Sequence, residues 1–124
     1  MNGPRAGAVG VLCLRVAWCV AAARRPGASL HRWVGEAAES QGGGIALRAL
    51  LLRSAIVDAA GVLAALRGLP LRPWLLASVA GDLADLTATL AADGDALPAR
   101  ARPLGALTAG GAAALTAALA AAGA

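Results

Sequence analysis

Residues 73–92, PWLLASVAGDLADLTATLAA, decide the fold. The stretch is 20 residues of mainly Ala, Leu and Val, the length a helix needs to cross the hydrocarbon core of a bilayer. Yet Asp82 and Asp85 sit near its middle. At mid-helix the two carboxylates cost about +5 to +7 kcal/mol of insertion free energy, while its six large aliphatic residues return only about −2 to −4 kcal/mol. The segment is therefore not expected to insert alone. Either neighbouring helices neutralise its acids, or it belongs to a soluble, alanine-rich bundle.

The rest of the chain favours lipid. Three further apolar stretches, 6–23, 45–66 and 103–123, are each 18 to 22 residues long, and amphipathic charge faces are lacking. The breaks between them carry clear punctuation. Arg24-Arg25-Pro26-Gly27 closes the first, the Gly42-Gly43-Gly44 run precedes the second, and Gly68-Leu69-Pro70 makes a tight hairpin to the third. Asp93-Gly94-Asp95 and Pro98 end the third, and Pro103 stands where a first-turn proline is tolerated. These signals predict an all-α fold: one domain over residues 1–124, a four-helix up-down-up-down transmembrane bundle with both termini on one side. The first connection is the longest. An apolar run after Arg5 with Ala21-Ala22-Ala23 imitates a signal peptide, but Arg15 interrupts its core, so the run is read as helix one.

Composition agrees. Of 124 residues, 59% are hydrophobic and only 15% charged, with 16 Gly and no Phe or Tyr, where soluble domains carry about 25% charged residues. Small side chains suit helices that approach closely in lipid. The net charge of +4 comes from Arg residues scattered along the chain, without the basic face and stacking aromatics of a nucleic-acid surface. Arg24, Arg25, Arg67, Arg72, Arg100 and Arg102 read instead as segment flanks that snorkel to headgroups. Cys13 and Cys19 are six residues apart, about 120° out of alignment on a helix, and no cluster completes a metal site. No cofactor is implied.

Five ionisable residues fall inside the apolar stretches: Arg15, Arg53, Asp58, Asp82 and Asp85. On the third helix Ser78, Asp82, Asp85 and Thr89 are spaced four, three and four apart, one polar stripe that should face the bundle interior. Folding helices two and three about Pro70 brings Asp58 level with Asp82 and Arg53 within a turn of Asp85. Folding helices one and two brings Arg15 level with Arg53, and helix four contributes Gly110 and Gly111 to the same layer. Two readings follow. The five charges form a network that satisfies itself and fixes helix register, or the acid in excess of the two Arg residues serves a proton relay, a small-cation site or a polar ligand pocket. Asp82, expected to face Asp58 rather than an Arg, is the group assigned to proton exchange on the second reading.

Catalysis is not expected. His31, the only histidine, falls in a loop, away in depth from Ser54 and Ser78, so a Ser-His-Asp arrangement lacks its base. Val79-Ala80-Gly81-Asp82 lacks the first glycine of the Gly-x-Gly-Asp motif of intramembrane aspartyl proteases. Residues 47–90 resemble small four-helix membrane proteins of uncharacterised function from high-GC bacteria, on Arg53 and Asp58, Arg72 and Trp74, and Gly81, Asp82, Asp85 and Leu86. The resemblance implies a multi-pass protein of the bacterial plasma membrane and no particular chemistry. The Gly-Gly-Gly stretch and the alanine-rich fourth helix depart from that pattern.

The expected role is therefore structural or partner-binding, with a minimal proton-coupled transporter using Asp82 as the alternative. The lipid bilayer is one partner, and a membrane protein or a second copy of the chain is another. Gly105-x-x-x-Ala109 and Gly110-x-x-x-Ala114 have the small-residue spacing for such a contact, and the same spacing serves packing within the monomer. Arg24, Arg25, Arg32, Arg100 and Arg102 outnumber Arg5, Arg67 and Arg72 on the opposite side. That bias orients the first and third loops to the cytoplasm and the termini outward.

Overall fold

The computed structural model describes residues 1–124, and every element in it is helical. Helix α1, Gly3–Arg24, starts where the Asn2 side chain accepts a hydrogen bond from the Arg5 N–H at 2.9 Å. Helix α3, Gln41–Leu66, starts at Ser40, whose hydroxyl oxygen accepts from the Gly43 N–H at 3.0 Å. Helix α4 spans Arg72–Ala91 and opens on Pro73, a proline in the first turn. Helix α5 spans Ala101–Ala121, with one wider π-helical turn at Ala106–Gly110. All four are long and apolar enough to cross a membrane.

The termini of these helices differ from the sequence expectation of 6–23, 45–66, 73–92 and 103–123, most of all before residue 45. The glycine run is not a break. Gly42, Gly43 and Gly44 form the first turn of α3, and a Cβ on Gly43 would collide with the Ala37 carbonyl oxygen. The first connection is not a loop either. It holds a short helix α2, Pro26–Val34, followed by a 3₁₀ turn at Gly35–Ala38, so His31 lies on a helix. Leu30 is buried, Trp33 and Val34 are half-buried, and Ser29, His31 and Arg32 are exposed, which gives α2 one apolar face directed at the bundle. The hairpin between α3 and α4 is tight: Gly68 takes φ of 71°, and the Leu69 N–H reaches back to the Ala64 carbonyl at 2.9 Å. This is a glycine-terminated Schellman cap.

Neighbours in sequence are neighbours in space. Helix α1 packs along α3, α4 packs along α5, and α3–α4 and α1–α5 contacts complete the ring. At the hairpin end one apolar cluster joins all four spans through Ala8, Leu12, Ala64, Leu71, Leu75 and Ala120. Gly61 belongs to that crossing, since a Cβ there would stand 2.9 Å from Leu12 and 3.1 Å from Trp74. At the opposite end the cluster of Cys19, Ala22, Leu30, Ala38, Leu47 and Leu51 draws only on α1, α2, the 3₁₀ turn and α3. The two helix pairs are thus sealed together at one end and lined by separate packing at the other.

More large apolar side chains face outward than a water-soluble bundle would expose. Large apolar residues point outward, among them Ile56 at 69% exposed and Leu107 at 75%, with Leu52, Leu63, Leu76 and Leu83 also exposed. The inside is filled by alanines, six leucines and a few polar groups. Water would penalise that arrangement, whereas lipid accepts it and leaves helix contact to small residues. Four spanning-length helices with large side chains outward fit a small multi-pass membrane protein.

Candidate functional site

The bundle interior is organised by one arginine. Arg15 projects from α1 across the ring, and its guanidinium donates to two acids on two other helices. Nε donates to Asp58 Oδ2 on α3 at 3.0 Å. Nη1 and Nη2 donate to Asp82 Oδ2 and Oδ1 on α4, at 2.8 and 3.0 Å. The second contact is a bidentate fork, the geometry in which Arg and carboxylate match best. Asp58 is completed from α4, where the Ser78 hydroxyl donates to its Oδ1 at 2.6 Å. Each oxygen of both carboxylates is therefore hydrogen-bonded, as burial requires: Asp58 is 1% exposed and Asp82 is 8%. Three helices are joined by four hydrogen bonds around a single cation.

Two of the five ionisable groups stand outside this network. Arg53, placed in the layer by depth alone, is exposed on α3 and forms no ion pair. Asp85 is half-buried and its carboxylate has no ion-pair or hydrogen-bonding partner. The assignment of Asp82 as the acid without an arginine is thereby corrected. Depth along a helix follows from counting residues, but the direction in which Arg15 extends follows from how α1 packs on α3.

Thr89 closes the stripe on α4. Its hydroxyl donates to the Asp85 carbonyl at 2.8 Å and accepts from Trp33 Nε1 on α2 at 2.8 Å. The short helix is thereby tied to the far pair of spans. Nothing in the residue pattern assigned Trp33 this contact, although its place three residues after Leu30 puts both on one face of α2. His31 pairs through Nδ1 with Glu39 Oε1 at 3.3 Å, an exposed contact away from the interior.

Three more arginines act on helix ends. Arg5 Nη2 donates to the carbonyls of Ala65 and Leu69 at 3.2 and 2.9 Å, Arg48 Nε donates to the Ala23 carbonyl at 2.9 Å, and Arg102 Nη2 donates to the Ala92 carbonyl. Ala23 and Ala92 lie at the C-terminal ends of α1 and α4, and Ala65 and Leu69 at the end of α3 and in the hairpin after it, so each guanidinium stands at the negative end of a helix dipole. Arg102, read from sequence as a headgroup anchor, thus has a protein partner.

On α5 the small residues divide by role. A Cβ on Gly105 would lie 3.1 Å from Thr89 Cγ2 and one on Gly110 would lie 3.7 Å from Leu86, whereas Gly111 faces open space. Gly105 therefore serves contact within the bundle. Thr116, fully buried on the same helix, has a hydroxyl without a hydrogen-bond partner.

Where the helix pairs are not sealed together, a cavity of about 580 Å³ reaches down to the network. Arg15, Asp82 and Asp85 line its depth, Trp18, Trp33 and Leu51 are among its walls, and α5 contributes Leu104, Gly105 and Thr108. Leu14 and Trp18 on α1 and Thr108 on α5 are exposed as well as lining, which places one opening at the α1–α5 seam; exposed Ser29 and Arg32 place another beside α2. No three His, Cys, Asp or Glu side chains are grouped as a metal site would need. Comparison with protein-family models, with curated proteins and with solved structures gives no match.

Proposed function

We propose that this chain is a small integral membrane protein of the bacterial plasma membrane with a structural or partner-binding role, its bundle held by the Arg15 network. The observation that carries the reading is the full engagement of Asp58 and Asp82, whose four oxygens all accept hydrogen bonds. Carboxylates so completely hydrogen-bonded suit the fixing of helix register. The resemblance of residues 47–90 supports the bacterial setting, and the arginine bias supports cytoplasmic first and third loops. The outward faces of α3 and α5, with Ile56, Leu107 and Gly111, are the surfaces offered to lipid, a membrane-protein partner or a second copy. The reading assigns the chain no catalytic step.

Asp82→Asn tests it in proteoliposomes carrying a pH-sensitive dye. A structural role predicts a lower unfolding midpoint for the variant and no proton flux through the parent protein. Proton flux that the parent supports and a stably folded Asp82→Asn loses would contradict it.

A minimal proton-coupled transporter is the second reading, favoured by the cavity that reaches the interior acids. Asp85 rather than Asp82 is then the exchanging group, because its carboxylate borders the cavity without an ion partner. Parent flux abolished by Asp85→Asn supports this reading, and a proton-tight parent sinks it.

A further inference from the structure

We infer that the cavity above Asp85 is a binding site for a monovalent organic cation with an apolar body, such as a protonated or quaternary amine. This inference goes beyond the structural role proposed above and stands independently of it.

Charge is the first argument. One guanidinium, Arg15, faces three carboxylates in the bundle interior, and it is already bound to Asp58 and Asp82. Arg53 is exposed and pairs with neither Asp82 nor Asp85. Asp85 stands at the cavity wall without an ion-pair or hydrogen-bond partner, and Arg53 and Arg15 act on its charge only from a distance. An occupant bearing one positive charge would supply the contact counter-ion that the protein does not, whereas an anion would be repelled by Asp85. Arg32, the other cationic lining residue, is exposed at the rim and does not change the sign at the depth of the site.

The walls define the rest of the ligand. Leu14, Leu30, Leu50, Leu51 and Leu104 supply apolar surface. Trp18 and Trp33 border the same space, and indole faces attract organic cations. A hard metal cation would need several oxygen ligands around it. Here only Asp82 and Asp85 offer carboxylates, and both oxygens of Asp82 are taken by Arg15. The cavity volume of about 580 Å³ falls in the range of small-molecule sites. An amphiphilic cation can reach it from the bilayer by the α1–α5 seam, with its charge ending at Asp85.

Equilibrium dialysis of the detergent-purified full chain against tetraphenylphosphonium tests the site, with tetraphenylborate as an anion of the same shape. The expected result is saturable binding of one phosphonium per chain and none of the borate. Asp85→Asn should weaken phosphonium binding by about tenfold or more at an unchanged unfolding midpoint, because it removes the counter-charge and no internal bond. Ala112→Phe, which fills the cavity and leaves the charge, should also abolish binding; it decides the matter if Asp85→Asn fails to fold. Absence of saturable binding by the parent, equal affinity in a folded Asp85→Asn, retained affinity in Ala112→Phe, or equal binding of the borate would each overturn the inference. Failure of the Arg15 clamp would register separately, as an unaltered unfolding midpoint in Arg15 variants.

Discussion

Replacing Arg15 by Gln removes one cation and leaves Asp58 and Asp82 buried without it. Two magnitudes compete in setting the effect. If only the three Arg15 hydrogen bonds counted, at about 0.6 kcal/mol each for intramembrane bonds, the loss would be about 2 kcal/mol. Leaving buried charge uncompensated costs more, about 3–5 kcal/mol when one partner of a buried pair is deleted. Asp58 is only 1% exposed, so the second effect should dominate. The assay is reversible unfolding in mixed micelles followed by fluorescence of Trp18, Trp33 and Trp74. Arg15→Gln should lose about 3–5 kcal/mol at neutral pH, and Asp58→Asn with Asp82→Asn in the same chain should restore part of that loss, a coupling of about 0.5–3 kcal/mol. A loss below about 0.5 kcal/mol, or no recovery on neutralising the acids, would refute the clamp.

Ser78→Ala leaves Asp58 Oδ1 without a donor and should cost about 1–3 kcal/mol in the same unfolding assay. Gly61→Ala should cost about 1–3 kcal/mol, because its Cβ would stand 2.9 Å from Leu12 and 3.1 Å from Trp74. Gly111→Ala, facing open space in a helix, should stabilise by about 0.5–1 kcal/mol; equal effects at the two glycines would contradict the packing. Thr116→Val replaces a buried hydroxyl that lacks a partner and should raise the unfolding midpoint, by about 1 kcal/mol of stability. A drop would mean that the hydroxyl is bonded.

The legible parts of this fold are those fixed by local chemistry. Segment length and apolarity marked all four spans, Gly68 and Pro70 marked the hairpin, and the four-three-four spacing put Ser78, Asp82, Asp85 and Thr89 on one face of α4. Helix α2 was hidden because Pro26 and Gly27 resemble loop punctuation, and its apolar face amounts to three residues, Leu30, Trp33 and Val34. The glycine run was misleading for a different reason. Gly43 is required by the close approach of the Ala37 carbonyl, a tertiary constraint that composition registers only as a helix breaker. The network shows the same divide: residue counting sets depth, so Arg15 and Arg53 looked equivalent, whereas helix rotation decides which one reaches the acids. That rotation follows from α1 packing along α3 and leaves Arg53 outside.

Whether four helices cross a bilayer around a polar interior is decided by carbonate extraction of membranes containing the tagged chain. The protein should stay in the pellet through carbonate and enter solution only with detergent. Release by carbonate, or recovery in the soluble fraction beforehand, would contradict a spanning bundle, and the outward-facing leucines would then need a protein partner in place of lipid.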